Sequence, residues 1–343
     1  MEADGGDPGP VALTGAGGFL GAAVLNAAAE AGVPVRAVLR PGGSLPGQPG
    51  GPGVDVRPVG LDDPAALEGV FRGCRAVIHA AAAMSATDAE HRERTVEPTR
   101  RAAEAAAAAG VRRFVLVSSL SVYDFEAAGR GGALTEATPR FGPATAGQLD
   151  AYARAKLAQE EAVEAVAARR PGALDPVFVR PGAIVGAGRR WTARLGFRKG
   201  PLAVRIGSGA PVPVIEAADC GRAVLRAATS LTPAPAPGSE TSRGTSGEAG
   251  GGAVVGAGPA AARVFNLVGD HLPSQAAWLR AIRREEGLRV TVPVPLGPLL
   301  LAGRLLHPLL GSRLPGVLRP ASARARFWPM AFPNARSREA GLL

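Results

Sequence analysis

Cysteine, lysine, tyrosine and histidine are almost missing from this chain of 343 residues, and each shortage closes a class of function. Two cysteines, Cys74 and Cys220, make neither a disulfide framework nor metal-ligand spacing, and a reducing cytoplasm is the compartment they imply. The four histidines (His79, His91, His271 and His307) show no metal spacing either, and His79 sits inside an apolar run, as a packed core residue would. Aromatics make up only 4%, so the formal charge of +10 comes with little surface for stacking bases. Basic residues are scattered as singles and pairs such as Arg100-Arg101, and no nucleic-acid partner is expected. Long apolar runs are lacking too. Val292 to Leu310 is interrupted by Arg304, His307 and prolines, and its runs fall short of the roughly 18–20 residues that span a bilayer. It reads as a buried or surface-lying amphipathic helix, so no membrane span is expected. Met1 to Pro10 has neither the basic nor the apolar region of a signal peptide, and residues 1–10 read as disordered. A Gly-x-Ser-x-Gly elbow and a Gly-Lys-Ser/Thr loop are both missing, which argues against a hydrolase and a P-loop ATPase.

What the chain does hold is 46% apolar residues, with 47 glycines and 31 prolines that exclude a helical bundle. Short apolar runs alternate with helical patterns, the signature of a parallel sheet with crossover helices. Strands are expected at 11–13, 35–39, 54–59, 76–80, 114–118 and 177–180. Helices are expected over 19–30 and 90–109, the second bent near Pro98. Residues 231–263 are rich in Pro, Gly, Ser and Ala and read as a low-complexity insertion. The expected organisation is α/β: a doubly wound parallel-sheet domain over 11–230, then a smaller C-terminal substrate lobe over 264–343 joined by parts of 182–220.

Thr14-Gly15-Ala16-Gly17-Gly18-Phe19-Leu20-Gly21 follows the first strand and opens the first helix. Gly15 permits the tight turn, Gly18 lets the backbone approach a pyrophosphate, and Gly21 lets helix and strand pack closely. The free amides and the helix dipole then hold the anion, making Gly15, Gly18, Phe19, Leu20 and Gly21 cofactor-binding residues. The second strand ends in Leu39-Arg40-Pro41 rather than in a carboxylate for the ribose hydroxyls. Arg40 can pair with a 2′-phosphate, which favours NADP(H) over NAD(H).

Tyr152 and Lys156 stand four residues apart in a chain with only two tyrosines and two lysines. On a helix they share a face, where an ammonium beside a phenol favours the ionised phenol near neutral pH. With the glycine loop, this pair makes the chain resemble the extended short-chain dehydrogenase/reductase superfamily, a Rossmann fold of the NAD-dependent epimerase/dehydratase type. Further landmarks are Val77-Ile78-His79-Ala80-Ala81, Val117-Ser118-Ser119-Leu120-Ser121-Val122-Tyr123, Val179-Arg180-Pro181-Gly182 and the tail from Phe332 to Leu342.

The resemblance implies that Ser119 hydrogen-bonds the substrate oxygen, with Ser118 and Ser121 as substitutes. It makes Tyr152 the acid/base, and Lys156 the group that lowers its pKa and grips the nicotinamide ribose. Ala80, Ala81 and Pro181 are implied cofactor contacts. Leu61 stands where an Asp commonly approaches the adenine, and Thr95 where the family often has Asn. Leu120 and Ser121 replace the Asp-Glu pair of the sugar-nucleotide 4,6-dehydratases, so dehydration is not expected. Arg189, Arg190, Arg194 and Arg198 are the cations available for a diphosphate clamp. The expected activity is hydride transfer between NADP(H) and a small carbonyl or hydroxyl substrate, similar to the dihydroflavonol reductase and 3β-hydroxysteroid dehydrogenase branch. A nucleotide-sugar epimerase and a non-catalytic NADP-binding sensor are the alternatives, and a homodimer is the family expectation.

Overall fold

The computed structural model describes residues 9–45, 53–84, 86–142, 145, 149–207, 209–232, 262–310 and 318–343. Most of the expected N-terminal disorder (1–10) and of the insertion (231–263) lies outside the described residues.

Seven parallel strands form the central sheet: in spatial order β11 (Arg263–Leu267), β6 (Asp175–Pro181), β5 (Arg113–Val117), β4 (Ala76–His79), β1 (Val11–Thr14), β2 (Val35–Leu39) and β3 (Val54–Pro58). The four central strands β1, β4, β5 and β6 are buried at every position, as parallel strands covered on both faces must be. Helices α1 (Phe19–Glu30) and α7 (Ala217–Thr229) cover one face, while α2 (Pro64–Phe71), α4 (Glu97–Ala108) and α6 (Ala151–Arg169) cover the other. The chain reverses its direction of travel across the sheet between β1 and β4, which opens a crevice at the carboxyl ends of those strands.

The helix expected over 90–109 is composite. It begins as α3 (Asp88–His91), widens into a π turn at Arg92–Val96 and continues as α4. Pro98 has no N–H for the regular ladder, so the expected bend takes the form of a wide turn just before it.

The boundary expected at residue 264 is displaced. β11 is not part of a separate lobe; it pairs with β6 from Arg263↔Val177 to Leu267↔Pro181, because the open edge of β6 offers an unpaired ladder. Leu342, close to the last residue, packs in the core beside β1 and α7. Two small sheets lie outside the central one. One joins β7 (Ala183–Val185) to β10 (Val214–Glu216), and the other joins β8 (Gly196–Lys199), β9 (Leu202–Ile206) and β12 (Val290–Val294). The remaining helices are α5 (Phe125–Ala128), α8 (Gln275–Ile282), α9 (Leu296–Leu310), α10 (Pro320–Phe327) and α11 (Ala335–Glu339), the last of which packs against β11.

Candidate active site

The loop from β1 into α1 is shaped by glycines that nothing else can replace. Gly15 has φ +77°, and a Cβ there would lie 2.7 Å from the Ala81 nitrogen; one on Gly21 would lie 2.2 Å from the Gly15 carbonyl oxygen. Gly18 caps α1 and donates its N–H to the Gly15 carbonyl at 3.0 Å. No carboxylate stands in the first turn, so the positive end of the helix dipole faces the crevice uncompensated.

Opposite this loop, β5 delivers Ser118 and Ser119, and α6 delivers Tyr152 and Lys156. Asp150 caps α6, accepting the Ala153 N–H at 2.9 Å, so the helix starts one residue before the phenol. Tyr152 and Lys156 share a face one turn apart, with Nζ 5.9 Å from the ring centroid. Nζ donates to the Val117 carbonyl at 2.8 Å. The Ser119 hydroxyl hydrogen-bonds the phenol and accepts the Ser121 N–H at 3.2 Å.

A cavity of about 500 Å³ gathers these groups: Ser119, Tyr152 and Lys156 line it together with Gly15, Gly18 and Pro181. Phe19, Leu20, Gly21 and Ala80 line it as well. Three expected residues do not. Ala81 lies beneath the loop, its backbone against Gly15. Leu61, being apolar, packs against the core on the sheet face covered by α2, α4 and α6. Arg40 is exposed at the end of β2, its carbonyl accepting the Gly43 N–H at 2.9 Å in a turn whose Ser44 abuts Gly17. Of the substitutes for Ser119, Ser118 is committed to Glu160 at 2.5 Å, whereas the buried Ser121 hydroxyl lines the cavity without a hydrogen-bond partner among the described residues.

One expectation is corrected. Burial raises the Tyr152 phenol above its ordinary pKa, and only the Ser119 hydrogen bond and Arg189 oppose that. The lowering expected from Lys156 is not met: the ammonium is turned to the Val117 carbonyl, and the charges that act on the phenol are those of Asp150 and Arg189. Burial pushes Lys156 itself down to about 8, with Glu160 opposing. The ammonium is therefore still mostly charged at pH 7.

Sequence reasoning missed the support behind these groups. Glu160, one further turn along the same face of α6, is fully buried and takes both Arg180 (2.8 and 2.6 Å) and Arg140 (3.0 Å). The Arg180 guanidinium also lies 4.4 Å from the Tyr123 ring, whose hydroxyl donates to Asn266 at 2.7 Å. Burial raises that phenol to about 12, so the second tyrosine is structural. The spacing of Tyr152, Lys156 and Glu160 at four-residue steps was the available signal. A second buried chain runs through His79, held down to about 3 by burial and Lys156 and so neutral. Thr99 donates to the Thr95 carbonyl (2.7 Å), which leaves it to accept the His79 Nε2–H (3.0 Å), while Thr14 donates to Nδ1 (2.8 Å).

The far wall of the cavity carries Arg189, Arg194 and Arg326 among apolar residues including Leu120, Phe125 and Trp191. Burial, with Arg326 nearby, pushes Arg194 down to about 9. Arg326 is paired with Asp150, which ties α10 to the start of α6. Among the described residues no group of His, Cys, Asp or Glu side chains could hold a metal ion.

Residues 15–200 match the model of a family described as NAD(P)H-binding. A ceramide reductase from Caulobacter vibrioides (strain NA1000 / CB15N) is 35% identical over 182 residues, 52% of this chain and 48% of that protein. The chain thus aligns with about half the length of that curated relative. Among solved structures, gox2253 is similar with a TM-score of 0.69 at 19% identity, covering 97% of this chain and 93% of that one. A nucleoside-diphosphate-sugar epimerase from Pseudomonas aeruginosa gives 0.62 at 21% identity, covering 97% and 91%. MoeE5 in complex with UDP-glucuronic acid and NAD gives 0.60 at 24%, covering 84% and 86%. At such identities the likeness is one of fold.

Proposed function

The chain belongs to the NAD(P)H-binding family, in the fold of the extended short-chain dehydrogenases and reductases, and from that premise we propose that it is an NADP(H)-dependent reductase of a small carbonyl compound. The observation that carries this reading is the convergence of Ser119, Tyr152 and Lys156 on a cavity whose opposite wall is the glycine loop. The loop suits a dinucleotide: Gly15, Gly17 and Gly18 put no side chain into the cradle, and the amides of α1 face an anion there.

When bound, the nicotinamide supplies the hydride. The chain's own residues then manage charge and proton at the substrate oxygen. Ser119 Oγ donates a hydrogen bond to it, and Tyr152 gives it a proton as negative charge develops. Burial keeps the phenol protonated at neutral pH, the state that reduction requires. Lys156 spends one N–H on Val117, leaving two for ribose hydroxyls, while the Ser119 hydrogen bond and the Arg189 charge favour the phenolate left behind. Glu160 and Arg180 hold α6 against β6 and so keep both groups in place. Arg40 is assigned the 2′-phosphate of NADP(H). The name of the Caulobacter relative, a ceramide reductase, supports net reduction, and the apolar lining supports a largely apolar substrate.

The cluster of Arg189, Arg194 and Arg326 favours a second reading, a nucleotide-sugar epimerase whose diphosphate meets those cations. Purified protein assayed with NADPH and NADH across apolar carbonyls and UDP-sugars separates the two. Net NADPH oxidation on a carbonyl supports the reductase. Interconversion of a UDP-sugar without net oxidation supports the epimerase and rejects the first reading.

A further inference from the structure

Helix α9 is apolar on two faces, and among the described residues only one of them is covered. Leu296, Leu299 and Leu300 pack with Ile206, Ala323 and Phe327. On the opposite side Leu301, Leu305 and Leu309, at four-residue steps, are 60%, 66% and 80% exposed. The sheet beneath continues this surface. Lys199, Leu202 and Val290 are paired across β8, β9 and β12, as are Phe197, Val204 and Val292, so all six share the face on which α9 rests. Phe197, Leu202, Val290 and Val292 lie exposed beside the helix. An apolar helix face left uncovered calls for an apolar phase on that side.

The charge around it narrows the choice of occupant. Lys199, Arg289 and Arg304 are exposed at the rim of the apolar surface. A second copy of the chain would bring this basic face against itself, whereas an anionic lipid surface meets both its apolar centre and its basic rim. Among the described residues no helix is long and apolar enough to cross a membrane, so α9 would lie on the bilayer.

We propose that the outer face of α9, with the exposed strip of β8, β9 and β12, docks into the headgroup layer of an anionic lipid bilayer. The docked face lies one helix away from the cavity, because α10 packs against α9 through Ala323 and Phe327 and lines the cavity with Ser322 and Arg326.

The test is flotation of the full chain with phosphatidylcholine vesicles made with and without phosphatidylglycerol. The protein should float with the anionic vesicles, and the combined Leu301→Ser, Leu305→Ser and Leu309→Ser variant should bind at least about tenfold more weakly. Arg304→Gln should weaken binding about fivefold, the scale of one juxtamembrane charge. Both variants should keep the wild-type circular dichroism. Should the triple variant fail to fold, Leu305→Cys carrying a polarity-sensitive dye gives an independent reading, a blue shift on anionic vesicles. Equal binding by wild type and triple variant, or no vesicle binding and an unmoved dye, overturns the proposal. So does a wild-type dimer at sedimentation equilibrium that the leucine substitutions split, which would give the surface to a second copy.

Discussion

Burial pushes the proton affinities of Tyr152 and Lys156 apart: the phenol rises while the ammonium falls to about 8. As pH climbs, Lys156 therefore gives up its proton before Tyr152 does. If the charged lysine grips the ribose, carbonyl reduction should decline above about pH 8 while the tyrosine is still protonated. A pH profile of kcat/KM with a soluble carbonyl checks this. A profile flat through that region would remove Lys156's charge from the account. Both residues were legible in the sequence because their relation is local: one turn of helix sets it. Ser119 and the glycines were legible for the same reason, each being placed by the strand it follows. Arg180 and Arg140 were not, since their partners come from other elements, and no local pattern reveals that Arg180 will meet Glu160 inside the core; His79 was legible as a packed core residue, but not its Thr14 and Thr99 partners.

At the scale of elements, α6 is the piece that must not move. Its start is capped by Asp150, and its middle is pinned through Glu160 to Arg180 on β6, to Ser118 after β5 and to Arg140. Replacing Glu160 by Leu removes one partner of a buried pair and leaves Arg180 charged without compensation. The expected cost is about 3–5 kcal/mol, read as a fall in the urea midpoint, together with lower kcat from a displaced Tyr152. An unchanged midpoint would mean that the clamp does not hold the helix. The composite helix Asp88–Ala108 makes a related point about legibility: Pro98 announced an interruption, but the form it took depends on the ladder around it. The strands of the two small sheets were not visible at all. β9 finds β12 across the insertion, and runs of four or five residues with mixed exposure carry no clear period.

For the whole molecule, the doubly wound sheet could be read almost strand by strand, because its buried parallel strands are short apolar runs between glycine-rich turns. What could not be read was the return of β11 to that sheet after the long insertion. The folded domain should report its cofactor as a unit. A ligand at 100 times its Kd adds about 2.7 kcal/mol, so NADPH should raise the Tm more than NADH at equal concentration. Arg40→Ala should erase the difference; equal shifts in the wild type would dismiss the 2′-phosphate assignment. The central claim, that Ser119, Tyr152 and Lys156 surround a hydride transfer, is tested most directly with NADPH deuterated at its transferable position. Wild-type protein should place deuterium on the product carbon, and Tyr152→Phe should slow that transfer about 10²–10⁴-fold while still binding NADPH. Deuterium absent from every product, or transfer undiminished in Tyr152→Phe, would contradict it.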